Sequence, residues 1–261
     1  MPGIGQASGV YVGDWTGKVS VIRTSTDTRI TSVPTGDESL SLAVSPDGTS
    51  VYACFYFGIK VINTKNHRVT ATIPLSTHVD PIQILFNPNN RLAYALCYSG
   101  FINIGGGQEE NLGGILQINT QTLQKTRLLW KQLPGATTVT ASPDGSKLYI
   151  VDQIENSGPG HADLVTFDTA SQQIQTTVSL DPSLGIPIAS AITSNGKYLY
   201  VATTLNTVLM IDTATNTVDA SINVPIGPDA IAISPNGNYA YVASNVGSSP
   251  GSVSVIDISP N

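Results

Sequence analysis

Two neighbouring stretches decide the fold: residues 230–245, AIAISPNGNYAYVASN, and residues 207–218, TVLMIDTATNTV. The first alternates small and apolar residues, turns at Ser-Pro-Asn-Gly and continues into a second alternating run that contains two tyrosines. The other is an apolar run that ends in Ile-Asp-Thr. Pro presets φ for a tight turn and Gly tolerates the positive φ that follows, so both stretches predict short antiparallel strands joined by turns.

The same signals recur in a fixed order along the whole chain: a tight turn, a strand with a tyrosine, and a strand that ends in a polar residue. The polar-ended strands are residues 21–24, 61–64, 117–120, 166–169, 210–213 and 255–258. Their spacings of 40, 56, 49, 44 and 45 residues cluster near the period of a four-stranded propeller blade. No segment shows a helical period over a helix length.

The repeat units 207–218 and 230–245 resemble the YVTN-type, surface-layer-like β-propeller repeat, and the resemblance covers nearly the whole chain. It implies a β-propeller repeat protein, and since the family includes bacterial and archaeal surface proteins, a bacterial one; it says little about function, because the motif residues are structural. Propeller relatives of the family include lactonases and lyases. Most members have seven blades, whereas this chain supplies six tyrosine strands.

We therefore expect an all-β fold, a single β-propeller domain over residues 1–261 with six four-stranded blades. Residues 2–8 are interpreted as a degenerate first strand, and the last blade lacks its outer strand because the chain ends soon after residue 258. Inner-strand packing would then close the ring. The alternative is a fragment of a seven-bladed propeller.

The charge and composition of the chain disfavour some classes of binding partner. Charged residues make up 11% of the chain, and 12 bases against 18 acids give a formal charge of −6, which disfavours nucleic acid and anionic membranes. No apolar run reaches the roughly 20 residues of a membrane helix. We expect a monomer, cytoplasmic if Met1 is native, and secreted or at the cell surface if a signal peptide was removed. The two cysteines are interpreted as buried apolar residues.

The strand order places the loops at two ends of each blade. One end holds the tight turns and the Asx-Thr turns, which are uniform and look structural. The other end is uneven, with long insertions at residues 99–113 and 154–163, the first interpreted as a Gly-rich lid. Insertions on one face of a repeat array usually mark the binding face. This acidic, aromatic end is predicted to bind a small molecule, peptide, glycan or protein through Asp14, Trp15, Asp37, Glu38, Tyr56, Tyr98, Phe101, Glu109, Glu110, Trp130 and Asp163.

An enzyme is the alternative: a lactonase-like hydrolase, lyase or isomerase at the mouth of the central channel. His can act as a general base near neutral pH, and each of two loop histidines has an aspartate two residues further on. The candidate catalytic residues are His78, Asp80, Glu155 and His161. No Gly-x-Ser-x-Gly motif is present to support a serine nucleophile.

A divalent cation, Ca²⁺ or Mg²⁺, is the candidate cofactor, because close carboxylates repel and hard cations take oxygen ligands. Millimolar Ca²⁺ or Mg²⁺ should raise the melting temperature by about 5 °C or less, and a chelator should reverse the rise. Neutralising Glu109 and Glu110 together, or Asp80, should weaken this response. An unchanged melting temperature with both cations would contradict the hypothesis.

Overall fold

The computed structural model describes residues 9–76, 79–88, 91–98, 101–105, 108–111, 113–129, 132–133, 135–153, 161–245 and 251–259. Within these ranges the chain forms antiparallel strands and one short 3-10 helix, Pro182–Leu184. It separates into two compact units, Met1–Pro134 and Gly135–Asn261. No helix of the described part is long and apolar enough to cross a membrane.

The first unit contains three blades and one additional hairpin. The strands of its first blade are β1 (Gly9–Gly13), β2 (Lys18–Arg23) and β3 (Thr28–Pro34). The second blade contains β4 (Ser39–Val44), β5 (Ser50–Phe55), β6 (Gly58–Asn63) and β7 (Arg68–Pro74). The third contains β8 (Asp80–Phe86), β9 (Leu92–Tyr98), β12 (Gly114–Asn119) and β13 (Lys125–Leu128), with the hairpin β10 (Phe101–Gly105) and β11 (Gln108–Asn111) between β9 and β12.

The second unit also contains three blades. The fourth blade consists of β14 (Ala136–Ala141), β15 (Lys147–Gln153), β16 (Ala162–Asp168) and β17 (Gln173–Leu180). The fifth consists of β18 (Pro187–Ile192), β19 (Tyr198–Thr203), β20 (Thr207–Asp212) and β21 (Thr217–Asn223). The sixth has three described strands, β22 (Pro228–Ile233), β23 (Tyr239–Ser244) and β24 (Ser252–Asp257).

In the second, fourth, fifth and sixth blades, the first two strands are joined by a tight turn whose side chains bond to the turn's own backbone. In the fourth blade Ser142 Oγ donates to Asp144 Oδ1 at 2.6 Å, and the Ser146 N–H donates to the same oxygen at 3.0 Å. Gly145 follows with φ of 70°, a conformation that side-chain-bearing residues rarely adopt. Asn195 and Asn236 accept the equivalent bonds in the fifth and sixth blades. The Ser-Pro-Asp-Gly type of sequence therefore predicts a tight turn with a capped backbone and a glycine at positive φ.

Neighbouring blades within a unit pack a large side chain against a small one. Tyr198, Tyr200 and Met210 of the fifth blade form one apolar cluster with Ala240 and Val242 of the sixth. In the first unit, Val19 and Val21 of the first blade form one apolar cluster with Val51, Ala53 and Ile62 of the second. Full burial of a Val, Ile or Met side chain contributes about 1.5–3 kcal/mol to stability. The apolar core of each unit therefore lies between the faces of adjacent blades.

The prediction of six blades, with three strands in the last, is confirmed. Residues 2–8 lie outside the described residues. The insertion at 99–113, interpreted from sequence as a Gly-rich lid, contains the hairpin β10–β11. Its strands pair with each other from Phe101 opposite Asn111 to Gly105 opposite Gln108.

Because β10 and β11 pair only with each other within the described sheets, the hairpin should be separable from its blade. Replacing residues 102–113 by a short Gly-containing turn should leave the β-sheet circular dichroism spectrum and the cooperative thermal transition in place. Loss of the cooperative transition would show that the hairpin is part of the packed core.

Candidate functional site

The loops at the uneven end of the first unit are tied together by backbone hydrogen bonds. The turn after β1 is closed by Asp14, whose Oδ1 accepts from the Thr16 N–H at 2.8 Å, the Thr16 hydroxyl at 2.7 Å and the Lys18 N–H at 3.2 Å. The hydroxyl bond from Thr16 is the main reason that the pKa of Asp14 is lowered. Asp14 was predicted to bind a ligand, and its carboxylate here holds the turn.

The same turn fixes the linker between the first two blades. The N–H groups of Thr35 and Gly36 donate to the Gly17 carbonyl at 2.8 and 3.1 Å. Gly17 has φ of 76°, and a Cβ there would lie 3.1 Å from the backbone nitrogen of Asp37. Only glycine allows this close approach, so the turn that carries Trp15 lies directly against the linker that carries Asp37 and Glu38.

Three exposed aromatic residues lie on these loops. Trp15 is 85% exposed, and Tyr56 and Phe57, which form the turn between β5 and β6, are 42% and 44% exposed. The two rings of that turn are 6.3 Å apart. Phe57 has φ of 62°, a strained value for an aromatic residue, and its N–H donates to Asp80 Oδ1 at 3.2 Å. The turn is thus held in a conformation that exposes both rings.

Lys60 connects the linker to this turn. Its ammonium donates to the Thr35 carbonyl and lies 4.9 Å from the centroid of the Phe55 ring. The side chains of Asp37, which is exposed, and Glu38, which is half-buried, make no hydrogen bond or ion pair within the described residues. In this they differ from Asp14 and Asp80, whose carboxylates accept hydrogen bonds from backbone N–H groups.

The second unit brings two acids together that the sequence pattern did not pair. Asp152 on β15 lies directly opposite Asp163 on β16. Asp152 is 8% exposed and accepts a hydrogen bond from the Gly135 N–H at 2.9 Å, whereas Asp163 accepts from the Ser179 hydroxyl at 2.7 Å. Both carboxylates are thereby satisfied within their blade. His161 is half-buried beside β16 and makes no hydrogen bond to either acid within the part of the chain described.

Of the other residues that the sequence predicted, the side chain of Tyr98 is described and the rest are not. Tyr98 ends β9 directly opposite Asp80 and is half-buried. Phe101, Glu109 and Glu110 belong to the hairpin β10–β11, and their side chains lie outside what the structure describes. His78, Glu155 and Trp130 also lie outside the described residues. Among the residues that are described, no group of three His, Cys, Asp or Glu side chains converges as metal ligands would.

A cleft of about 180 Å³ in the first unit is lined by Leu75, Ser76, Val79, Leu116, Lys125 and Arg127. Its two cationic residues lie on β13, the outer strand of the third blade, and Lys125 donates to the Pro74 carbonyl. The sequence analysis named neither residue, because it sought acids and aromatic residues at loop positions. A repeat-by-repeat comparison of the outer strands would have shown the paired bases.

The tight-turn end, interpreted from sequence as structural, also contains clefts between blades. One is lined by Ser45, Asp47, Thr49, Ser50, Tyr52, Thr120 and Gln121. The other, of about 350 Å³, is lined by the repeat equivalents and their neighbours: Ser142, Pro143, Asp144, Ser146, Lys147, Tyr149, Asn195, Gly196, Thr213 and Ala214. Tyr52 donates to the Thr120 carbonyl at 3.4 Å across the first cleft, so its polar groups bond across the blade interface.

His67 belongs to this tight-turn end and is half-buried with φ of 54°. Its Nδ1 lies 3.0 Å from the hydroxyl of Tyr11 on the preceding blade. The only cysteines, Cys54 and Cys97, are buried free thiols in one apolar cluster, as predicted. Burial raises the pKa of Cys97 to about 12, with a smaller contribution from Asp80, so this thiol is not a nucleophile at neutral pH.

Comparison with solved structures shows the fold. Over 97% of its length the chain superposes on 81% of "Kuenenia stuttgartiensis Hydrazine Synthase", with a TM-score of 0.77 and 19% sequence identity. It superposes over 96% of its length on 79% of the Myceliophteria thermophila Cps50 (Swd1) β-propeller domain, with a TM-score of 0.72 and 12% identity. The chain therefore has a six-bladed β-propeller fold. No family model matches it, and comparison with curated proteins finds no match.

Asp144, in the tight turn of the fourth blade, allows a test of whether hydrogen bonds to a turn carboxylate stabilise the fold. Hydrogen bonds from Ser142 and Ser146 lower its pKa to about 2, so the folded state binds its proton more weakly than the unfolded state. The stability contributed by the ionised form is present above pH 4 and is lost as the pH falls towards 2. Asp144→Ala should lower stability at pH 7 by about 1 kcal/mol, since the group is exposed, or about 2–4 °C in Tm.

Asp144→Asn is the matched control, because Asn195 and Asn236 accept the same bonds in other blades. It should retain most of the stability at pH 7 and abolish the acid-dependent component between pH 4 and 2. Melting curves across that range measure both effects. Equal pH dependence in the wild type and in Asp144→Asn would refute the assignment.

Proposed function

We propose that the protein is a binding module whose ligand contacts the loop surface of the first unit formed by Trp15, Asp37, Glu38, Tyr56 and Phe57. The six-bladed β-propeller fold is consistent with an interaction module, and the resemblance of its repeats to surface-layer propellers supports this class of function. The observation that carries the proposal is the 85% exposure of Trp15 on a turn held by four hydrogen bonds.

An exposed tryptophan is costly to leave in water, because its ring offers a large apolar area. The ring of Trp15 is largely exposed, so packing does not offset this cost. The turn that carries the ring is nevertheless held by hydrogen bonds. Tyr56 and Phe57 repeat the arrangement on the next blade, again on a turn that is fixed by a hydrogen bond to a carboxylate. Rigid aromatic side chains contact a partner at little cost in conformational entropy, as in antibody loops.

The charge on the surface suggests the chemistry of the ligand. Asp37 and Glu38 are without internal partners in the described part, and the whole chain carries a formal charge of −6. Aromatic faces attract cations, and carboxylates pair with Lys and Arg. A basic peptide segment fits both features. A glycan that stacks on the rings is the second candidate, favoured by the exposure of all three aromatic faces.

The enzyme alternative is not favoured. It rests on a histidine beside a carboxylate. Of the two candidate histidines, His161 makes no hydrogen bond to Asp163 within the described residues, and His78 lies outside them. Fold likeness to an enzyme does not transfer its chemistry.

Trp15 allows a direct test by fluorescence, because the chain has only two tryptophans. In a Trp130→Phe variant Trp15 is the single reporter, and titration with a panel of Lys- and Arg-containing peptides should change its emission saturably. A parallel titration with neutral oligosaccharides tests the second candidate. Trp15→Ala and a double Asp37→Asn, Glu38→Gln variant should each weaken peptide binding by about tenfold or more by calorimetry.

Leu205→Ala is the matched control, since Leu205 is 53% exposed on a turn of the second unit. Its binding should equal that of the wild type. A saturable ligand whose affinity is unchanged by all of the first-unit variants would show that this surface is not the binding site.

A further inference from the structure

The cleft beside β13 places two cations over an apolar floor. In the described part of the chain it is lined by Leu75, Ser76 and Val79 of the linker between β7 and β8, by Leu116 on β12, and by Lys125 and Arg127 on β13. Val79 and Leu116 are buried and form the floor, whereas the two bases are exposed. None of these six lining residues is acidic, although the whole chain has 18 acids and only 12 bases.

Arg127 occupies a position at which other blades carry a small hydroxyl residue. It lies opposite Leu116, which lies opposite Ala95, the residue after Tyr94. Counted from the same tyrosine, the residues at this position of the first, second, fourth and fifth blades are Ser32, Thr72, Thr177 and Ser221. The blade architecture therefore does not require a base here.

Lys125 departs from the repeat in the same way. It lies opposite Ile118, at a position taken by Val69, Ile174 and Val218 in the second, fourth and fifth blades and by Arg29 in the first. In those four blades the register shifts next to this position, whereas β12 and β13 pair without a shift. Residues two apart on a regular strand point to one face, so Lys125 and Arg127 share a face of the blade.

That face packs against the second blade. Leu116 and Ile118, the residues opposite the two bases, belong to one apolar cluster with Tyr52 and Ile59 of the second blade. Lys125 and Arg127 therefore lie at the outer margin of the interface between the two blades, where the apolar packing ends.

The linker that forms the other wall of the cleft is held by its backbone. The Leu75 N–H donates to the Phe57 carbonyl at 2.8 Å, and the Val79 N–H donates to the Ser76 carbonyl at 3.0 Å. The ammonium of Lys125 reaches across and donates to the Pro74 carbonyl. An ammonium has three donors, so this bond engages only one of them.

The charge of Arg127 also acts on the blade interface. Burial is the main reason that the pKa of Cys97 is raised, and Asp80 raises it further, whereas Arg127 lowers it. The guanidinium is thus close enough to the buried thiol for its charge to act there. Asp80, the acid that acts on the same thiol, accepts a hydrogen bond from the Phe57 N–H.

We propose that the cleft beside β13 binds a small organic carboxylate with a short hydrocarbon chain. The planar guanidinium of an arginine can donate two parallel hydrogen bonds to a carboxylate, and a lysine adds a second positive charge. The hydrocarbon chain would lie against Leu75, Val79 and Leu116. The volume of the cleft is about 180 Å³. Since an apolar cavity of about 150 Å³ holds one benzene molecule, a chain of about three to five carbons fits.

The two bases have one alternative role. Lys and Arg on an outer strand discourage pairing with another sheet. The outer strands β17 and β21 have no base, however, so the blades do not need one for this purpose. Protection of an edge also gives no reason for the two bases to share the face of an apolar cleft, and it predicts no preference for a hydrocarbon chain.

The first experiment compares ligands by NMR titration of the wild type at constant ionic strength. Sodium butyrate should bind saturably and at least fivefold more tightly than acetate, because it buries two further methylene groups that contribute about fourfold each. Butyramide, which has the chain without the charge, should bind at least tenfold more weakly than butyrate. Inorganic phosphate should also bind more weakly, since it has no apolar part.

The second experiment replaces the two bases by the residues of the second blade. Arg127→Thr and Lys125→Val should each raise the dissociation constant of butyrate at least tenfold and should keep the wild-type circular dichroism spectrum. Arg127→Lys retains the charge and loses the planar fork, so its affinity should lie between those of the wild type and Arg127→Thr. Arg29→Val is the matched control, because it removes a base at the position of the first blade that corresponds to Lys125.

The absence of saturable butyrate binding would overturn the proposal. Equal affinities for butyrate and acetate, or for butyrate and phosphate, would also contradict it, because the floor would then have no role. An affinity that Arg29→Val lowers as much as Lys125→Val would show that only the net charge matters. None of these variants changes Trp15, Asp37, Glu38, Tyr56 or Phe57, so the outcome is separate from that of the proposed function.

Discussion

In the second, fourth and fifth blades, a hydrogen-bonded pair of turns at one end of the blade sets the geometry on which the other contacts depend. The polar residue that ends the third strand caps the backbone of its own turn, as Asp212 does for the N–H groups of Ala214 and Thr215. The threonine after it donates its hydroxyl to the neighbouring tight turn, from Thr213 to the Gly196 carbonyl at 2.6 Å. Since the same threonine N–H also bonds to that turn, the second and third strands are held in one register.

Register fixes which side chains face the next blade, because successive residues of a strand point to opposite faces. A slip of one residue would turn Tyr200 away from Ala240 and Val242 and expose it. The turns therefore protect the apolar core as well as the sheet. Tyrosines near the turns add polar contacts between blades, from Tyr11 to the Thr64 carbonyl and from Tyr52 to the Thr120 carbonyl.

The two ends of a blade differ because the turns at one end hold the strand register, whereas the connections at the other end do not. At the tight-turn end of the second, fourth, fifth and sixth blades, the Asp or Asn of the turn and its Ser or Thr neighbour are engaged in capping. At the other end the connections are less regular, and they leave Trp15, Tyr56 and Phe57 exposed while the backbone beneath them is hydrogen-bonded. The acids there have separate roles: Asp14 and Asp80 hold turns, whereas Asp37 and Glu38 do not.

The sequence by itself predicted the blades and a structural role for the tight turns and the Asx-Thr turns, because these depend on local periodicity and on side chains that bond within a few residues. It favoured six blades but left a seven-bladed fragment open. It did not determine which acids are free, since Asp80 is engaged by Phe57, 23 residues away in sequence. It also missed the opposition of Asp152 and Asp163, which follows from strand register. Only the tertiary structure showed that Val253 and Val255 are exposed while their repeat equivalents are buried. The two sets have nearly the same sequence pattern, and Val208 and Met210 are buried because residues of the sixth blade pack against them.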